Sequence, residues 1–155
     1  MAEYQDPGEP THDPLDMDAV WDLGELIDEA CPDGKVSIAQ LEAIAKAENV
    51  PLSHVLAAAA FDPDYEWQVT KDRQITVCLG ACQGWGAREI TERLLSIQKE
   101  REANGKASFD VLSVGCLDRC ASPVAVDVIG PDGGAQHSLV RPGAAEDSIV
   151  EALCD

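Results

Sequence analysis

The stretch "VCLGACQGWGARE", residues 77–89, places Cys78 and Cys82 four positions apart inside a glycine-rich turn. A second pair, Cys116 and Cys120, has the same spacing in "VGCLDRCASPVAV", residues 114–126, with 33 residues between Cys82 and Cys116. Two matched pairs ask for one explanation, and the hydrophobic periods around them supply its frame. Before the first pair, Ile75 and Val77 alternate as in a strand that delivers Cys78 to a loop. After it, residues 87–103 repeat at helical spacing, with Ile90, Leu94, Leu95 and Ile97 inward and charges outward. "SFDVLSVGC" (108–116) reads as a second strand running into the second cysteine loop, and "PVAVDVIG" (123–130) as a third. The turn "PDGG" returns the chain as the hairpin strand "AQHSLVRP", and residues 144–153 close it as a helix.

The N-terminal part has a different period. In "MDAVWDLGELIDEAC" (17–31), Val20, Leu23, Leu26 and Ile27 share one helical face, and "PDGK" stops the pattern. Ser37 with Gln40 forms a capping-box pattern ahead of Ile38, Leu41, Ile44 and Ala45. "NVPLSHVLAAAAF" (49–61) reads as a short third helix with Pro51 in its first turn. Residues 1–16, proline-rich and acidic, are expected to be a flexible tail. Residues 17–66 are then an N-terminal helical segment, and residues 67–155 hold the strands and both cysteine loops.

The predicted order is three helices, then strand, helix, three strands and a helix. This is an α/β pattern, and its second portion suits a thioredoxin-like layer, a small mixed sheet covered by helices. If the first two strands are neighbours, the loops at their C-terminal ends meet at one sheet edge, and four thiolates can converge.

Composition narrows the chemistry. The chain has 155 residues, six cysteines and a net charge of −18. Residues 1–70 carry 16 acidic and two basic residues, a net −14, against −4 for the remainder. Such a surface repels phosphate backbones and anionic lipid, so no nucleic acid is expected as a partner. No apolar run reaches the roughly 18–20 residues of a membrane span, and the N-terminus lacks the basic and apolar regions of a signal peptide. A cytoplasmic location is therefore expected. Its reducing conditions favour metal or redox chemistry over a disulfide framework. Cys31 and Cys154 stand apart from the pairs and are read as bystanders.

Four converging cysteines suit a structural zinc ion or an iron-sulfur cluster. The usual zinc knuckle is Cys-x2-Cys, whereas a [2Fe-2S] rhomb suits two separated pairs, one on each iron. Gly80, Gly84, Gly86 and Gly115 lie in or beside the loops, where bare backbone can bring N–H groups close to sulfur. Their alternative role is to form tight turns. Arg88 and Arg119 are candidate nearby cations. His12, His54 and His137 have no nucleophile or metal-ligand spacing beside them, and no phosphate-binding glycine motif is present.

These residues carry a resemblance. "VSIAQLEAIAKAENVPLSHVLAAAAF" (36–61), "VCLGACQGWGAREI" (77–90) and "GCLDRCASPVAVDV" (115–128) resemble, in this order, the N-terminal helical segment and two cluster loops of the thioredoxin-like [2Fe-2S] ferredoxin subunits of NADH-linked complexes. That group includes the E-type subunit of NADH:quinone oxidoreductase, the matching subunit of bidirectional hydrogenases, and the gamma subunit of NAD-dependent formate dehydrogenase. The resemblance implies a thioredoxin-like [2Fe-2S] ferredoxin domain preceded by a small N-terminal helical bundle. It implies that Cys78, Cys82, Cys116 and Cys120 ligate a [2Fe-2S] cluster in an electron-transfer subunit that performs no bond chemistry itself.

It further implies a flavoprotein partner that carries FMN, the NAD(H) site and its own iron-sulfur cluster, alongside further dehydrogenase or hydrogenase subunits. Two features depart from the pattern. The family's first pair is usually Cys-x4-Cys, and here it is one residue shorter. "FDPDYEW" (61–67) stands where Phe-Tyr and another aromatic are usual. Gln83 leans toward the formate dehydrogenase type. Two other readings remain open: a free-standing ferredoxin or redox regulator, and a zinc-stabilised interaction module.

Overall fold

The computed structural model describes residues 9–117, 124–138 and 145–155. The chain begins with α1 (Met17–Ala30), β1 (Lys35–Ser37), α2 (Ile38–Glu48), α3 (Leu52–Ala59) and β2 (Glu66–Gln68). It continues with β3 (Gln74–Cys78), a 3-10 turn (Ala81–Trp85), α4 (Ala87–Ala103), β4 (Asp110–Val114), β5 (Ala125–Gly130), β6 (Gly133–Ser138) and α5 (Ala145–Cys154). The α/β reading of the sequence holds.

Local chemistry accounts for the helix starts. Ser37 accepts from the Gln40 backbone N–H, and the Gln40 side chain accepts from the Ser37 N–H, closing the expected capping box. Pro51 lies immediately ahead of α3 and donates nothing to it, as suits a residue whose N–H would be orphaned. α2 ends at Asn49, whose φ of 55° is the left-handed stop that asparagine tolerates.

The main sheet has the order β4-β3-β5-β6. β3 and β4 run parallel, while β3–β5 and β5–β6 are antiparallel. α4 provides the crossover between the two parallel strands. Ile75 and Val77, level with Val111 and Ser113 on one side and with Val128 and Val126 on the other, form the buried sheet face. Burying each large aliphatic side chain there contributes about 1.5–3 kcal/mol. The opposite face is more polar and more open, with Thr76 level with Leu112 and Asp127.

β1 and β2 form a separate parallel pair, in register from Lys35–Glu66 to Ser37–Gln68. The sequence periods gave no sign of it. One continuous core runs from Val20 in α1 through α3 and α4 to Val150 in α5, so the N-terminal helices and the larger sheet share apolar contacts. Ser113 of β4 donates to the Leu56 carbonyl of α3 at 2.7 Å, which fixes α3 against the sheet. Asp110, buried at the start of β4, accepts from the Thr70 and Lys71 N–H groups and holds the turn that leads into β3.

The parallel register places Cys78 level with Val114, and the Leu79 N–H donates to the Val114 carbonyl at 2.8 Å. Beyond this rung the two loops touch at two glycines. A Cβ on Gly80 would stand 2.0 Å from the Gly115 oxygen, which no side chain permits. Gly80→Ala is therefore expected to force the loops apart and lower stability by about 1–3 kcal/mol, as overpacking does. A shifted denaturation midpoint with an unchanged m-value checks it.

Candidate metal centre

Cys78 ends β3 and Cys82 lies in the 3-10 turn; both are buried, at 3 % and 2 % exposure. The Cys82 thiol donates to the Cys78 sulfur, and backbone N–H groups of Gly80, Cys82 and Leu117 also point at it. Together these donors hold the Cys78 thiol down to about 6 against the burial that pushes it up. Leu117 belongs to the second cysteine loop, so that loop's backbone already serves a sulfur of the first. The Cys78 Sγ also lies 3.8 Å from the Gly115 carbonyl oxygen.

Cys116 follows Gly115 and is exposed. Cys120 and Arg119 lie outside the described residues. The structure thus brings Cys78 and Cys82 together and sets the loop of Cys116 beside them. Among the described residues, no group of three or more His, Cys, Asp or Glu gathers as a ready metal site. Cys31 is buried at the end of α1, where its thiol donates to Gln40 Oε1 at 3.4 Å and burial pushes its pKa up. Cys154 sits at the end of α5, with its thiol also raised by burial. Neither lies in the cysteine loops.

The first loop is covered by a strap that the composition of residues 1–16 did not suggest. Gly84 accepts from the N–H groups of Thr11 and His12 at 2.8 and 3.1 Å, and Pro10 packs where a Gly84 Cβ would stand. Buried Gln83 bridges the two segments: its amide donates to the Leu79 carbonyl at 2.7 Å, and its oxygen accepts from the Leu15 N–H at 2.9 Å. Arg88, a predicted neighbour of the sulfurs, instead donates to the Asp13 carbonyl at 2.6 Å and to His54 Nε2 at 3.0 Å. Burial, with Arg88 alongside, pushes the His54 pKa down and favours the neutral ring. His12 approaches Glu89 at 3.9 Å, and His137 lies in β6, level with Val126.

Parallel strands β3 and β4, the α4 crossover and two cysteine loops at one sheet edge define a thioredoxin-like redox scaffold. The model of the thioredoxin-like [2Fe-2S] ferredoxin family matches residues 16–129, and the chain belongs to this family. Membership implies an iron-sulfur cluster and points to electron transfer. The match spans all four paired cysteines and the N-terminal helices. A search of curated proteins gave no match. Among the described residues, no helix is long and apolar enough to cross a membrane.

The residues fit such a group in their chemistry. The buried Cys78 sulfur faces the Cys82 thiol and backbone donors that favour thiolate, the form that binds iron. In metal-free protein, ultraviolet thiolate absorbance is expected to rise as pH passes upward through about 6, because the lowered Cys78 pKa places its charged form above that point. Cys78→Ser removes this step; its persistence in the variant would assign it to another thiol. Gln83→Ala deprives the Leu79 carbonyl of its amide donor and is expected to cost about 1–3 kcal/mol, read as a lower denaturation midpoint.

Proposed function

We propose that the protein is a one-electron carrier in which Cys78, Cys82, Cys116 and Cys120 hold a [2Fe-2S] cluster. The observation that carries this reading is the meeting of the two loops. The Gly80–Gly115 contact and the Leu117 N–H directed at Cys78 give the first pair a neighbour from the second loop before any metal is considered. The cluster would supply reversible one-electron chemistry. The protein's own part is to bury Cys78 and Cys82, supply N–H donors to sulfur, and hold the two loops in register through β3 and β4.

The setting we infer is an NAD(H)-linked oxidoreductase complex of the formate dehydrogenase, hydrogenase or NADH dehydrogenase type. There a flavoprotein subunit holds FMN and the NAD(H) site, and this chain catalyses no bond chemistry. Support comes from the resemblance of both loops and of residues 36–61 to such subunits. A cytoplasmic location accords with the reduced cysteines this chemistry needs. Copurification with a flavin-containing protein separates this setting from that of a free-standing ferredoxin.

The direct test is the visible and electron paramagnetic resonance spectrum of anaerobically purified protein before and after dithionite. A brown protein with about two irons and two sulfides per chain, paramagnetic only when reduced, is expected. Replacing any of the four paired cysteines by Ser should bleach or distort the spectrum, while Cys31→Ser and Cys154→Ser leave it intact. A colourless protein with one zinc would end the electron-transfer reading.

A further inference from the structure

Three large apolar side chains left exposed by folding, Met17, Trp21 and Phe61, are 47, 68 and 51 % accessible and line one groove of about 400 Å³ between α1 and the end of α3. Phe61, Asp62, Pro63 and Tyr65 form a ridge shared with a second groove of about 630 Å³. The second groove crosses the open sheet face at Thr76 and Leu112 and reaches Gly80, Gly115 and Cys116. A continuous surface therefore runs from α1 to the exposed cysteine of the second loop.

The charge of its described lining has one sign. Among the described residues, Glu25, Asp28 and Asp62 line the grooves, and no Lys, Arg or His does. Asp28 accepts from the Tyr65 hydroxyl, whereas Glu25 is exposed. The strap of residues 10–15 lies on Gly84 of the other cysteine loop and does not occupy this surface. A second copy of the chain would bring carboxylates against carboxylates, a costly pairing. Exposed aromatics rimmed by like charges instead suit a partner of opposite charge.

We infer that this face docks a redox protein whose apolar centre is ringed by Lys and Arg beside its own redox group. The inference rests on the electron-carrier reading above and adds to it the docking face and the chemistry of the partner. In the encounter one electron leaves the reduced protein and enters the partner's oxidised centre, with no bond formed and no proton moved. An exposed Cys116 at the end of the groove gives the electron its shortest way out on that side.

The test uses the full chain with its cluster, reduced by dithionite and freed of excess reductant, and ferric cytochrome c as a basic, apolar-edged probe. Haem reduction is followed by stopped flow. The unmodified protein should react more slowly as ionic strength rises. Phe61→Ser and Glu25→Lys should each slow the reaction about tenfold at low salt, with Glu25→Lys also flattening the salt dependence. Glu100→Lys, the same charge change on the outer side of α4, should have little effect. Unchanged rates in Phe61→Ser and Glu25→Lys, or an equal loss in Glu100→Lys, overturn the docking face while the cluster spectrum stays normal. A colourless protein removes the carrier reading and this inference with it.

Discussion

The close approach of Gly80 to Gly115 is the constraint on which the rest of the site depends. Two parallel neighbouring strands can bring their C-terminal loops together only if no side chain stands between them. With a Cβ at Gly80 placed 2.0 Å from the Gly115 oxygen, the backbones have used all the room available. Ala60 presses from the other side, its carbonyl oxygen 2.9 Å from where a Gly115 Cβ would lie. α3, anchored to β4 by Ser113, thus serves as a backstop for the second loop. The N-terminal helices are part of the site's mechanics although they supply none of the paired cysteines.

The electrostatics follow from the same contact. A buried thiolate is costly unless donors replace the water it loses. The neighbouring Cys82 thiol is the main donor that provides that replacement at Cys78, and backbone N–H groups from both loops add to it. Among the described residues, no cationic side chain appears among the causes of this shift. Arg88 is engaged with His54 and the Asp13 carbonyl. In a chain carrying −18 overall, the local preference for negative sulfur therefore comes first from the Cys82 thiol and then from backbone N–H donors of both loops.

Much of this was legible in the sequence because it depends on side-chain pattern. Alternation at Ile75 and Val77, the helical repeat of residues 87–103, and Ser37 with Gln40 each mark an element that the structure contains. β1 and β2 escaped notice because three residues apiece cannot display a period. The strap escaped for another reason. Thr11 and His12 bind through their backbone N–H groups to a backbone carbonyl, so proline-rich, acidic composition gives no sign of the contact. The Leu117 donor was equally hidden, since a backbone N–H has no letter of its own. Gln83 was visible as a residue, but its bridge between Leu79 and Leu15 required the fold.

The described cysteines of the two loops lie in unlike surroundings, and this asymmetry gives the site a direction. Cys78 and Cys82 are buried, and the strap, with Gln83 and Arg88, covers the first loop at Gly84. Cys116 is exposed, at the end of an apolar groove with an acidic rim. Burial keeps water from the Cys78 and Cys82 sulfurs, while Cys116 stays accessible from the groove. For a carrier built on one small sheet, the open sheet face and the ridge from Phe61 to Tyr65 are then as much a part of function as the thiols. On the docking proposal above they would select the partner, whereas the buried loop and its donors favour negative sulfur at Cys78.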